Sequence, residues 1–519
     1  MTIALVSALI VLLLVAWVVY DVTQRSHAII HNFPIIGHFR YWLEMIGPEL
    51  RQYIVTGDDE ERPFSRDQRR WVYASSKREN ALFGFGTGNE LELSSNYLIV
   101  KHAAFPLSTM HQGGAGYDAA ARLPAAKILG GYRRRRHAFR PSSIVNVSGM
   151  SFGALSGAAV EAMNRGAKLA GCMQATGEGG LSPYHQNSGE LIFQIGTGYF
   201  SCRDLQGRFD MERLLNIVAT NPVRAIEIKL SQGAKPATGG MLPAAKVSPE
   251  IAATRGVPPG VDCISPATHQ MFHDADSLLD WVEELAEATG LPIGIKSAVG
   301  ELDFWRELAR LMATTERGVD FITIDGGEGG TGAGPLVFGD HVGLPFKLAF
   351  SRVYRIFAEA GITDRIVFIG AGKLGFPETA LLAIALGCDM VNVGREAMLA
   401  VGCIQAQRCH TNHCPTGVAT QSRWRASGLD PTLKSVRLAN YVIQLRSELI
   451  SLARACGVPH PALVTTNHIE ILDGHFGGAS ASSVFGYATG WGVPAPADQE
   501  QIRGIMAGMR TDEGSPGPS

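Results

Sequence analysis

Apolar residues fall along the chain in three regimes. Residues 3–20 form an uncharged run of 18 rich in Leu, Val and Ile. As a helix that run reaches about 27 Å, enough to cross a hydrocarbon core. Residues 21–140 are mixed: 47–53 and 62–71 read as short helices with charged faces, and Gly84 to Gly88 as a loop. From about 141 the pattern turns to short apolar runs separated by segments of helical period. Eight strands are predicted, at 144–147, 171–175, 191–195, 225–229, 291–296, 320–324, 365–369 and 389–393. Helices are predicted between them at 156–169, 276–288, 301–313, 346–360 and 377–386, and a long amphipathic helix follows at 433–455. Residues 457–509 read as an irregular, Gly-rich extension, and the last ten, ending at Ser519, as disordered.

Eight strand–helix repeats predict an α/β fold, a closed parallel (β/α)8 TIM barrel, with a doubly wound open sheet as the alternative. The expected organisation is a transmembrane anchor (1–20), a mixed N-terminal extension (21–140), the barrel (141–455) and a C-terminal extension (456–519). No basic residue precedes the apolar run and no small-x-small pattern follows it, which favours a membrane helix over a cleaved signal peptide. Arg25, Arg40 and Arg51 lie on its C-terminal side, so the positive-inside tendency places the body in the cytoplasm as a single-pass membrane protein. The run Arg133 to Arg136 reads as a solvated or phosphate-facing edge, with an anionic-lipid contact as an alternative.

Composition narrows the chemistry. At 519 residues and net charge −2, the chain can bury a large core and offers nucleic acid no electrostatic footprint. Three of its eight cysteines, Cys403, Cys409 and Cys414, fall in one loop at the spacing C-x5-C-x4-C. A trio of thiols suits an iron–sulfur cluster; with His410 and His413 it also suits zinc. The other cysteines are scattered, which is not a disulfide framework.

A barrel seats its chemistry on the loops after its strands. After the first comes Ser148-Gly149-Met150 and onward to Ser156, small residues that admit a flat ring. After the second, Glu178 stands alone among glycines, and the third carries Gln194. The fifth ends at Lys296, whose cation suits negative charge on a reduced flavin, with a structural salt bridge as the plainer alternative. Gly370, Gly372 and Lys373 after the seventh, and Gly394 and Arg395 after the eighth, form a phosphate-site pattern. The long segment after the fourth strand is expected to cover the site, with Gln232, Lys235 and Arg255 suited to a dicarboxylate.

The stretches GMSFGALS, TGEGG, EIKLSQGAKP, KVSPEIA, GGTGA and CxxxxxCHTNHCPTGVATQ, spanning about 141–455, resemble the flavin domain of glutamate synthase. The resemblance implies FMN and a 3Fe-4S cluster, with 4Fe-4S as the alternative, in a barrel that reduces 2-iminoglutarate, made from 2-oxoglutarate and ammonia, to glutamate. It implies Cys403, Cys409 and Cys414 as cluster ligands and Lys296 as the flavin-contacting lysine. It further implies that Glu178, Gln232, Lys235 and Arg255 hold 2-oxoglutarate, with Lys296, Glu178 and Lys235 as the catalytic set. Electrons are expected from ferredoxin or a reductase subunit. The sequence departs from the family at Met241, where GGQLPG reads GGMLPA, and at Gly370-Ala371-Gly372, where an acidic DGG is usual. Its first cysteine is Cys172, so no N-terminal-cysteine glutaminase is expected, and ammonia is expected as nitrogen source. Another 2-oxo or 2-hydroxy acid as substrate, and a non-catalytic electron-transfer role, are the competing readings.

Overall fold

The computed structural model describes residues 2–24, 26–79, 84–108 and 122–511. Arg25 and the tail at 512–519, on which two of the sequence expectations fall, lie outside the described residues. The chain divides into two compact units, Met1–Arg69 and Arg70–Ser519.

In the first unit, helix Thr2–Thr23 is long and apolar enough to cross a membrane, and almost none of it is buried. A short helix Ala28–Asn32 leads into helix Ile36–Leu50 and a π-turn at Arg51–Val55. The sequence window at 47–53 caught only the end of this element. Beside the charged Arg40, Glu44 and Glu49 it exposes apolar Ile36, Phe39, Trp42 and Leu43, which lie upstream of that window.

The second unit is built on a closed barrel. Its strands are β1 (Val145–Val147), β2 (Gln174–Ala175), β3 (Leu191–Ile195), β4 (Val223–Lys229), β5 (Ile293–Ser297), β6 (Phe321–Asp325), β7 (Val367–Ala371) and β8 (Met390–Val393). Each pairs in parallel with its sequence neighbours, and β8 pairs with β1 to close the ring. This is the TIM-barrel architecture. Every strand residue except Arg224 is buried, as continuous apolar runs in a parallel sheet should be.

The ring of helices is less regular than eight repeats predict. After β2 there is only a 3-10 turn, Pro183–His185, because Gly177, Gly179, Gly180, Pro183 and Gly189 leave no helix-forming run. Helix Met211–Thr220 follows β3, and helix Pro249–Arg255 interrupts the excursion after β4; neither was anticipated. After β8 a short helix, Arg395–Ala400, leads through the cysteine loop to helix Pro431–Ala455, which packs on Gly157–Ala170 and Pro377–Ala385. The long helix thus fills the eighth place in the ring.

Half of the arginine run is a solvated edge, with Arg134 and Arg136 exposed; Arg133 and Arg135 turn inward. Arg133 donates to Val319 O and Arg365 O at 3.0 and 3.1 Å, and Arg135 pairs with Asp320 at 2.9 Å and with Glu283. These contacts, with Lys127 Nζ 3.1 Å from the buried Asp389, tie residues 127–135 across the N-terminal end of the barrel. The C-terminal extension is not irregular either. Strands Ile469–Leu472 and Gly478–Ser480 form an antiparallel sheet with Leu98–Val100, and helix Pro496–Thr511 follows, including the first two of the ten residues expected to be disordered.

Candidate active site

Side chains alternate between the two faces of a strand, so residues two apart at a strand end share the barrel interior. At the C-terminal end this rule places Gln194, Glu227 with Lys229, Lys296, and Thr323 with Asp325 in one polar layer. Lys229 and Lys296 are register partners, as are Gln194 and Glu227. Glu227 accepts from Thr323 Oγ1 at 2.7 Å and from Gln194 Nε2. Lys229 Nζ lies 3.1 Å from Glu178 Oε1 and donates to Gln232 Oε1 at 2.6 Å. Lys296 Nζ lies 3.4 Å from Asp325 Oδ2.

These groups are buried, so each charge is set by its neighbours. Burial works against the Lys296 ammonium, but Asp325 and Glu227 outweigh it and raise its pKa. Burial likewise opposes the Glu178 carboxylate, yet Lys229, Lys235 and Arg255 hold its pKa below the usual range. Lys235 is pulled the other way: burial and Lys229 lower its pKa against the attraction of Glu178. The Lys296 salt bridge expected as the plainer alternative is present, within the candidate site itself.

The excursion after β4 crosses the barrel mouth, as expected from its length. Gly233 N donates to Asp325 Oδ2 at 3.1 Å, and a Cβ on Gly233 would come 1.7 Å from Gly326 O. Only glycine permits that approach. Further along, hairpin Met241–Leu242/Cys263–Ile264 brackets helix Pro249–Arg255. Arg255, at that helix's end, is buried over Phe200, its guanidinium 5.1 Å from the ring centroid; Arg203 also lies over that ring, at 5.0 Å. Arg255 donates to Phe152 O at 3.1 Å, while its buried Nε has no hydrogen-bond partner among the described residues. A carboxylate would satisfy it. Met241 is exposed on the hairpin.

The loops expected to hold a flavin adjoin each other. Ser148 N donates to Val393 O at 2.9 Å, Gly394 lies against Ser148, and Gly149 lies on the Gln194 amide, with Met150 following. Gly370 and Gly372 end β7 and open its loop; Gly372 (φ +118°) abuts the Gly326 backbone, and Lys373 itself takes a left-handed backbone (φ 56°). Arg395 donates to Glu328 O, and burial lowers its pKa against the pull of Glu396, Asp325 and Glu328. A glycine-lined cradle with Lys373 and Arg395 beside it fits a phosphate-bearing flavin.

Cys403 and Cys409 are half-buried and Cys414 buried, all as free thiols. Cys403 feels the charges of Cys409 and Cys414, and Cys409 that of Cys414. Among the described residues no three His, Cys, Asp or Glu side chains, the three cysteines included, are gathered closely enough to hold a metal ion, and His410 and His413 are exposed. The all-thiol trio keeps the chemistry of a cluster ligand set. Buried Lys246 joins this loop to the loop after β1, donating to Ala154 O at 2.6 Å, Cys409 O at 3.2 Å and Ala419 O at 3.3 Å. Gln421 adds bonds to Gly153 O and Leu155 O at 3.0 and 2.8 Å.

Residues 132–459 match the model of the conserved region in glutamate synthase. The chain belongs to the glutamate synthase family. It is 37% identical to the Glutamate synthase large subunit-like protein YerD of Bacillus subtilis over 88% of this chain and 92% of that one. An archaeal glutamate synthase [NADPH] from Methanocaldococcus jannaschii is 36% identical over 64% of this chain, which spans 61% of that relative. Among solved structures, a flavocytochrome b2 variant aligns over 92% of both chains at 15% identity and a TM-score of 0.43. The protein is a flavin-dependent oxidoreductase of the glutamate synthase type.

For a glutamate synthase-type site, the structure brings together Glu178, Gln194, Gln232, Lys235 and Lys296, and adds Glu227, Lys229, His269, Phe200 and Asp325. Period-two reading of β4 and β6 marks Glu227, Lys229 and Asp325. No local signal marks His269, which bonds Tyr199 OH and Lys229 O at 3.2 and 2.9 Å from a distant loop.

Proposed function

We propose that this chain catalyses the reductive step of glutamate synthesis. 2-Oxoglutarate and ammonia lose water to give 2-iminoglutarate, whose C=N bond then takes a hydride at carbon and a proton at nitrogen. The observation that carries this reading is the buried set Lys229, Lys235 and Arg255 around Glu178, a surplus of fixed cations that suits a dicarboxylate. FMN supplies the hydride when bound. Ser148, Gly149, Met150, Gln194 and Lys296 would hold its ring, and Gly370, Gly372, Lys373, Gly394 and Arg395 its phosphate. Arg255, with its unpartnered Nε, binds one substrate carboxylate. Gln232 and Lys229 orient the substrate beside Glu178. Lys235, its pKa drawn down by burial, hands a proton from Nζ to the substrate nitrogen. Lys296 keeps a fixed positive charge at the strand end.

Cys403, Cys409 and Cys414 would hold a 3Fe-4S cluster that takes electrons from ferredoxin or a reductase subunit. Helix Thr2–Thr23 anchors the chain as a single membrane span, with the catalytic body on the cytoplasmic side. The buried Asp21 at its end accepts from Ile35 N at 2.8 Å, a contact between the helix and the following segment that supports the anchor reading.

Anaerobically photoreduced protein mixed with 2-oxoglutarate and ammonium should recover oxidised-flavin absorbance and form glutamate. Recovery with a different 2-oxo acid but not with these two would reassign the substrate. Purified protein should also carry iron and acid-labile sulfide; iron without sulfide would remove the cluster.

A further inference from the structure

The first unit carries a second apolar surface that no part of the catalytic reading uses. On helix Ile36–Leu50, Ile36, Phe39, Leu43, Ile46 and Leu50 recur at three- and four-residue steps, which puts them on one stripe with Trp42 at its edge. Ile36 is 76% exposed and Leu43 40%. With Ile29 and Phe33, three of these side chains line an open groove of about 620 Å³. Arg40, paired with Glu44 at 2.9 Å, borders the same groove, and Glu49 flanks the stripe on its other side.

The helix is fastened to the end of the candidate membrane span. Asp21 accepts from Ile35 N and pairs with His38 at 2.8 Å, and the Trp17 ring lies 5.4 Å from that of His38. Those bonds fix the first turn of Ile36–Leu50 at the depth where a span starting at Ile3 leaves the hydrocarbon. Trp17 and Tyr20 stand in the last turns of the span and Tyr41 and Trp42 in the second turn of helix Ile36–Leu50; amphipathic rings of this kind favour the headgroup boundary. An apolar stripe of this extent on a water-facing surface calls for a partner. The bilayer is continuous with the helix the stripe is tied to.

We propose that helix Ile36–Leu50 lies in the membrane interface, its Ile36–Phe39–Leu43–Leu50 stripe among the acyl chains, as a second lipid contact beside the span. The inference rests on the proposed anchor. Arg40 at the groove is neutralised by Glu44, so attachment is through apolar burial, without a need for anionic lipid.

The test uses the full chain reconstituted in phosphatidylcholine vesicles, with photoreactive benzoylphenylalanine in place of Phe39, of Val11 as a control in the span, or of the exposed Glu307 on the barrel. After illumination, mass spectrometry should find phospholipid adducts from positions 11 and 39 and not from 307. The yield at 39 should be unchanged when phosphatidylglycerol is added. An adduct from 11 with none from 39 overturns the inference and leaves the anchor standing; adducts from neither overturn both. Cross-links from 39 to a second copy of the chain would make the stripe a dimer surface and overturn the lipid reading. So would adducts from 307 as abundant as those from 39.

Discussion

Arg255 shows how one side chain is aimed. Its guanidinium stacks on Phe200, which leaves its edge for hydrogen bonds in plane. Phe200→Leu removes the stack while keeping the site apolar. It should weaken 2-oxoglutarate binding by about 2- to 30-fold, the range of a cation–π contact of ~0.5–2 kcal/mol, with flavin content unchanged. Titration of the flavin spectrum with 2-oxoglutarate reads this; an unchanged Kd would mean that the ring only fills space. A second residue is informative through pH. Burial pushes the His460 imidazole down to about 4 from an ordinary 6.5, and it sits 2.9 Å from Pro124 O. It stays neutral in the fold, whereas the unfolded chain takes up a proton near 6.5. Its contribution to stability is therefore whole above about pH 6.5 and is lost as pH falls towards about 4. The stability gap between the wild type and His460→Gln, measured by denaturant unfolding, should shrink over that window. Lys296 and Lys229, its register partner, each close a predicted strand, and period two along β4 marks Lys229 as facing the same interior as Glu227. His269 was illegible because its hydroxyl partner Tyr199 is 70 residues away.

Among the elements, the eight strands were legible because buried parallel strands are short apolar runs with breakers between them. Their ends were less so: β5 runs to Ser297 and β7 to Ala371, a residue or two past the predicted stops. The accessory sheet was out of reach, since Leu98–Val100 finds its partner in Ile469–Leu472, across the whole barrel sequence. The cysteine trio announced itself by spacing, while its fastening by Lys246 depends on three carbonyls from two distant loops. The loop after β7 offers a test at this scale. Gly372 holds a backbone that L residues rarely adopt, with a Cβ position 3.1 Å from Gly326 N. Gly372→Ala should cost about 1–3 kcal/mol locally and reduce FMN retention through purification. Gly361→Ala, also at positive φ (69°) but with open space around it and outside the cradle, should lower the unfolding temperature and leave flavin content intact. Equal flavin loss in both would take Gly372 out of the cofactor site.

For the whole molecule, the division into two units predicts that attachment and catalysis separate. Removing residues 1–60, short of helix Arg66–Lys77, should move the protein from membranes to the soluble fraction with its flavin per chain unchanged. Fractionation with flavin quantitation checks this; a truncated protein that still sediments with membranes would place attachment elsewhere.

The straps across the closed end of the barrel decide where the chain can be cut. Asp320 and Asp389 are buried and meet their cations from residues 127–135, upstream of the first strand. His460 reaches back to Pro124 from beyond the last ring helix. A fragment begun at residue 141 would bury two carboxylates stripped of their counter-charges, at a cost of several kcal/mol. The smallest transplantable cassette therefore starts before Leu123 and runs past His460. Grafting this catalytic module onto another carrier means moving that longer piece, while the loops at the open end remain free for redesign.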